Sequence, residues 1–308
     1  MSIDAITLTP TNRRHAPPPV RNMRPPKLKL PPGACDTHFH FLGQQREFPF
    51  NPNRNFVPDV DHDDSTIADW QRMQSALGLS RGLLVQSMMY YPSYELALHA
   101  LCLKPEHLRA VISPRAEVTD RELEILTKAG VVGARFTRAT SPRIDDRLVH
   151  RTHEFGWGMH YLLHDEEQMS DWRNQILMSP GKFVIEHLGN APVEQGIESA
   201  AFKFVLESID TGRCWVKLSP RPSKQETFPF SDVLPLVREL VARAPNRLLW
   251  GSDWPHPQYW RPMPSDSDLL DMMLDWVPDE ATRNLIFVDN PIEAFGYPKA
   301  KASKFSNP

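Results

Sequence analysis

Eight short apolar or β-branched runs recur along the chain, each followed by a longer amphipathic stretch, and this alternation limits the fold more than any other feature. The runs are ACDTHFH from Ala34, GLLVQS from Gly82, LRAVISP from Leu108 and VVGARFT from Val131. They continue with WGMHYLL from Trp157, KFVIEH from Lys182, CWVKLS from Cys214 and RLLWGSD from Arg247. Most begin about 25 to 35 residues apart, the length of a strand and its return helix. The stretches between them carry helix punctuation. STIADWQRMQSALG is expected to be capped by Ser65 and closed by Gly78, and TDRELEILTKAG to be capped by Thr119 and closed by Gly130. Eight βα units in series predict a (β/α)8 barrel, the TIM barrel. An open doubly wound sheet is the alternative, but no G-x-G-x-x-G follows the first run to recommend it.

The ends of the chain read differently. Thr11 to Pro32 is rich in proline and in Arg and Lys and has almost no apolar periodicity. Such a segment cannot build a core, so it is expected to lie as an extended arm over its own barrel or a neighbouring subunit. The expected organisation is an arm over 1–33, the barrel over 34–298 and a tail over 299–308. A homo-oligomer held through the arm is one consequence to test. The net charge of −3 gives no reason to expect nucleic acid as a partner. The three cysteines, Cys35, Cys102 and Cys214, are scattered and form no C-x-x-C, which fits free thiols in a reducing compartment. No apolar run approaches the ~18 residues of a membrane span, and the N-terminus lacks a signal-peptide core. These features predict a cytoplasmic chain with no membrane partner.

A barrel of this kind carries its active site at the C-terminal ends of its strands. Ionisable and polar residues collect at those ends. His38 and His40 end the first run, Ser87 the second, Arg115 the third and Arg135 the fourth. His160 and His164 lie on or after the fifth, His187 ends the sixth, Lys217, Ser219 and Arg221 the seventh, and Asp253 the eighth. In a strand, residues i and i+2 share a face, so His38 and His40 aim at one point. Any one of these side chains has a plain structural explanation. The ring as a whole points to catalysis.

CDTHFHFLG, IEHLGN and GSDWPHP resemble the amidohydrolase-2 branch of the amidohydrolase superfamily, and within it the 2-pyrone-4,6-dicarboxylate lactonase group; LLVQS and GARF fit the same group. The resemblance spans roughly Ala34 to Tyr297. It implies a distorted TIM barrel and hydrolysis of a small carboxylated lactone. It also implies that His38, His40, His187 and Asp253 surround the scissile ester, that Arg135 and Arg221 hold substrate carboxylates, and that Ser87 contacts the substrate. Further substrate-binding candidates are Arg138, His160, His256 and Gln258. Departures from the group's pattern fall on the substrate side. Leu162 stands where a tyrosine is expected and Gln258 where an asparagine is expected, and neither Arg138 nor Arg143 sits at the spacing of a second arginine. The same chemistry on a different acid is the expectation.

For an ester, a base must take a proton from water as it attacks, and donors must meet the oxyanion. Asp253 is the candidate base. His38, His40 and His187 are either the donors or the ligands of one divalent metal, Zn or Mn. In the metal case His38, His40 and Asp253 would be joined by His160, His164 or His187. A binuclear site is not expected, because Arg135 stands where it would need a carboxylated lysine, and the metal-free arrangement is preferred because the resemblance to the pyrone-dicarboxylate lactonases implies it. A metal-dependent decarboxylase of an aromatic or muconate acid is the rival reading, with His160 or His164 as a metal ligand. A non-catalytic barrel that binds a small acid is the third.

Overall fold

In the computed structural model, which describes residues 15–52, 57–58, 65–104, 106–140, 142–257 and 261–299, eight parallel strands follow one another in chain order. They are β1 (Cys35–Phe39), β2 (Arg81–Val85), β3 (Leu108–Ile112), β4 (Val131–Thr137), β5 (Gly158–Leu162), β6 (Phe183–Ile185), β7 (Cys214–Leu218) and β8 (Leu248–Trp250). Helices α1 (Ile67–Leu77), α2 (Glu95–Leu103), α3 (Asp120–Ala129) and α4 (Asp146–Glu154) return the chain between early strands. α5 (Glu166–Met178), α6 (Ala200–Asp210), α7 (Leu234–Arg243) and α8 (Asp266–Trp276) complete the ring. The chain folds as a (β/α)8 TIM barrel. Its register slips between β1 and β2 and between β3 and β4, so the barrel is irregular. No helix among the described residues is long and apolar enough to cross a membrane.

The seam between β8 and β1 is closed by bonds beyond the regular ladder. Thr37 Oγ1 donates to the Trp250 carbonyl at 2.8 Å. The Asp253 N–H donates to the His38 carbonyl at 2.7 Å, and the His40 N–H to the Trp254 carbonyl at 2.6 Å. This close approach needs Gly251. A Cβ there would lie 2.5 Å from His38 Cβ and 2.8 Å from His38 N. Gly251→Ala should therefore destabilise the barrel by about 1–3 kcal/mol, the usual cost of overpacking, and displace His38. Denaturant unfolding and turnover measured together check this; an unchanged midpoint would show that the seam can open without loss.

Strand alternation builds two layers inside the barrel. Cys35, Leu83, Val111, Val184, Trp215 and Leu249 come from six strands and form one apolar cluster, plugged by Phe295 and Tyr297 from the end of the chain. Two residues further along their strands, Val184 is followed by Glu186 and Trp215 by Lys217, both fully buried. A dry apolar floor thus lies beneath a charged layer. A second, larger cluster packs the outer strand faces against the helices.

Local capping follows the residues with one change. Helix α3 has the expected Thr119 cap and Gly130 end, and α1 ends at Gly78. Its N-cap, however, is Thr66 rather than Ser65. The reason is reciprocity. Thr66 has Asp69 three residues on, which accepts from the Thr66 N–H, whereas Ser65 has Ala68 there. Part of the proline-rich segment is bound to its own barrel. The Lys27 and Leu28 N–H groups donate to Asp271 of α8 at 3.1 and 2.9 Å, and Ser267 Oγ donates to the Arg24 carbonyl at 2.6 Å.

Candidate active site

The two strand-1 histidines meet, but in different surroundings. His38 Nε2 and His40 Nε2 are 3.3 Å apart. His40 Nδ1 lies 2.7 Å from the Val85 carbonyl, which can only accept, so Nδ1 carries the hydrogen. His38 Nδ1 lies 3.1 Å from Lys217 Nζ. Below them Asp36, fully buried, accepts from the His38 N–H, the Ser252 N–H and Ser252 Oγ at 3.1, 3.0 and 2.6 Å. These bonds tie the base of His38 to the β8 turn. Burial pushes the Asp36 carboxyl up to about 7.

Asp253 completes the group. Its Oδ1 lies 3.5 Å from His38 Nε2, 3.4 Å from His40 Nε2 and 4.0 Å from His187 Nε2. Oδ1 has no hydrogen-bond partner although it is buried. Oδ2 accepts from Arg221 Nη1 at 3.1 Å. Burial would raise the carboxyl's pKa, but His187 and Arg221 beside it hold it well below the usual range. His187 rests its Nδ1 on Ser219 Oγ at 2.9 Å and leaves Nε2 unpartnered toward Asp253. Burial pushes it down to about 3 against the pull of Asp253, so it is neutral at pH 7. Both His187 (φ 53°) and Asp253 (φ 63°) hold left-handed backbone conformations. Such positions cost energy that the surrounding contacts must offset, and they cluster at functional sites.

A third buried carboxylate, Glu186, was not anticipated. Glu186 Oε2 accepts from Arg135 Nε at 3.0 Å and Nη2 at 2.7 Å. Its Oε1 faces Lys217 Nζ at 3.5 Å and the Nδ1 atoms of His38 and His160, each at 3.7 Å. Burial works to raise its pKa, but Arg135, His38 and Lys217 together hold it well below the usual range. Burial pushes the Lys217 ammonium down to about 8, so it remains largely charged at neutral pH. Lys217 was among the strand-end candidates, and Glu186 was legible in principle as well. A charged residue inside an apolar strand such as CWVKLS, or just after one as in KFVIEH, is rarely buried without partners.

The other candidates divide by position. Ser87, Arg135, His164 and Arg221 line one small pocket with His40, beside the apolar side chains Met88, Leu162 and Pro257. His164 Nε2 sits 2.9 Å from Thr137 Oγ1. His160 lies deeper, stacked on Phe295 with ring centroids 5.8 Å apart. His256 turns to Asp266 at 3.1 Å. Arg138 points away from the pocket toward Asp165 and Asp171, each at 3.5 Å. Arg115 pairs with Glu122 on α3. Gln258 lies outside the described residues.

Two groupings among the described residues could hold a metal: His38, His40 and Asp253, and His38, Glu186 and His187. Neither contains His160 or His164, the ligands that the decarboxylase reading requires. Within the first, the 3.3–3.5 Å spacings suit a tetrahedral ion, because bonds of about 2.0–2.1 Å give edges near that length. The charges and hydrogen bonds suit it less. Arg135 and Lys217 already engage Glu186, Arg221 engages Asp253, and the second nitrogen of His38 faces an ammonium.

The amidohydrolase family profile matches residues 35–297. The chain belongs to the amidohydrolase family. This amidohydrolase is 31% identical over 304 residues to a 4-sulfomuconolactone hydrolase of Rhizobium radiobacter, covering 94% of this chain and 99% of the other. It is 29% identical over 291 residues to a 2-pyrone-4,6-dicarboxylate hydrolase of Comamonas testosteroni, covering 89% and 93%. Among solved structures, an apo Agrobacterium tumefaciens protein superposes with a TM-score of 0.77 at 27% identity, covering 88% of this chain and 98% of that one. The amidohydrolase is thus a hydrolase whose relatives open lactone rings.

Proposed function

We propose that this amidohydrolase opens a small lactone bearing at least one acidic group, by metal-free attack of water. The observation that carries the reading is Asp253 Oδ1, buried, without a hydrogen-bond partner and facing three imidazole nitrogens within 4.0 Å. A carboxylate oxygen so placed can take a proton from water beside imidazoles that face the same point. The relatives' names, a sulfonated muconolactone and a pyrone dicarboxylate, support an anionic ring. Arg221, partly exposed at the pocket that Ser87 and His40 also line, supports it independently.

Asp253 Oδ1 takes a proton from water, and the oxygen adds to the lactone carbonyl carbon. The carbonyl oxygen becomes an oxyanion, met by ring N–H groups held where that charge develops. His38 supplies one through Nε2, as its contact with Lys217 requires. The tetrahedral species then collapses, the bond to the ring oxygen breaks, and the proton held by Asp253 passes to that oxygen. Water has been added across one ester bond, and the product is a ring-opened acid. Arg221 links the two ends of the site. A substrate carboxylate that draws Arg221 from Asp253 Oδ2 removes a cation from the base and raises its basicity as the ring arrives.

No step here passes through a metal. A ligand histidine ordinarily gives its second N–H to a carbonyl or carboxylate. His40 does so and His38 does not.

Arg221→Met should raise KM for an anionic lactone by about 10–100-fold, the loss of one charge-assisted hydrogen bond of ~1.5–3 kcal/mol. Its side chain is a quarter exposed, so folding should be little affected. An unchanged KM on the preferred substrate would remove Arg221 from the carboxylate site. The broader test is a panel of carboxylated and sulfonated lactones offered to chelator-treated enzyme. Ring opening under chelation is expected. Turnover that returns only with Zn or Mn would overturn the metal-free mechanism, and tight acid binding without turnover would favour a non-catalytic barrel.

A further inference from the structure

We propose that Lys217 is a positioning residue: it fixes His38 as the Nε2–H tautomer, so that His38 is a donor to substrate and the triangle of His38, His40 and Asp253 does not take up a divalent metal. The donor role rests on the lactone reading; the tautomer does not.

An ammonium has three donors and no lone pair, so at 3.1 Å it can only donate to His38 Nδ1. A neutral imidazole carries one hydrogen, which then sits on Nε2. The opposite tautomer would need an acceptor at Nδ1. The nearest carboxylate oxygen there, Glu186 Oε1, is 3.7 Å away, beyond a normal hydrogen bond. His40 makes the contrast within one site, because its Nδ1 meets a carbonyl and its Nε2 keeps a lone pair. Two adjacent histidines of one strand are thereby given opposite roles.

Lys217 has little freedom to leave. It is 1% exposed, shares the inward face of β7 with Trp215, and has Glu186 Oε1 at 3.5 Å. A divalent ion at Nε2 would have to displace the hydrogen that this contact places there. It would also add two charges to a layer already holding three cations.

Two measurements decide the matter, and neither uses turnover, so failure of the lactone reading would leave them intact. In the native protein labelled with 15N-histidine, long-range proton–nitrogen correlations should show His38 protonated at Nε2 and bare at Nδ1. The reverse pattern overturns the proposal without any variant. After chelation and back-titration with zinc alone, the native chain should not bind one ion per chain tightly. Lys217→Met, which removes the donor but keeps the length, should bind zinc about 10–100-fold more tightly, the reverse of the loss that follows when a partner favouring the metal is removed. Stoichiometric tight zinc in the native protein, or equal affinity in both, overturns the proposal.

Discussion

Asp253→Asn is expected to fold normally and to lose about 10²–10⁴-fold in kcat, the usual contribution of a positioned general base. Asparagine keeps the size of the side chain, can still accept from Arg221, and tolerates the left-handed backbone that Asp253 adopts at φ 63°. It cannot take a proton from water. The Asp253 carboxyl is held well below its usual pKa by His187 and Arg221 despite burial. It is therefore ionised throughout the neutral range, and its loss should lower the rate evenly between pH 6 and 8. Single-turnover kinetics and circular dichroism on the same preparation provide the check. A fall of less than tenfold with an intact fold would remove Asp253 from the role of base.

Glu186→Gln should cause the largest loss of stability of any single change in the site. It keeps the shape of the side chain but leaves Arg135 and Lys217, both nearly fully buried, without their carboxylate. Breaking a buried pair by removing one partner costs about 3–5 kcal/mol, because the other charge stays in low dielectric. Urea unfolding should show a lower midpoint at an unchanged slope. A change under about 1 kcal/mol would mean that water reaches the charged layer and screens it as at a surface. The result also bears on Arg135. The sequence reading gives it to a substrate carboxylate, but its Nε and Nη2 already serve Glu186. Replacing Arg135 should therefore cost stability as well as substrate binding, whereas Arg221 reports on binding with less disturbance to the fold.

The strand-end residues were readable because strand periodicity and barrel topology together dictate which side chains reach the catalytic mouth. That logic placed His38, His40, His187 and Asp253 among the strand-end residues, the resemblance to the lactonase group singled them out, and the structure brings all four within one cluster. It did not find Glu186 as a partner of Arg135, because their pairing crosses two strands and 51 positions of sequence. Nor could it separate His160 from His187. Both are strand-end histidines in the sequence, but His160 stacks against Phe295, which joins the barrel's apolar floor from far along the chain. The cap of α1 moved by one residue for a local reason, the Thr66–Asp69 pair, which was available in the sequence.

The sequence by itself determined the alternation of strand and helix, the barrel that eight such units must form, and the end of the barrel at which these polar side chains gather. These follow from local periodicity and from the handed geometry of βα units. Only the tertiary structure decided what each polar group does. Whether a histidine donates or accepts depends on the atom opposite its second nitrogen, and that atom comes from another strand: Val85 for His40, Lys217 for His38. The distances that set these roles lie between side chains remote in sequence, and no local pattern encodes them.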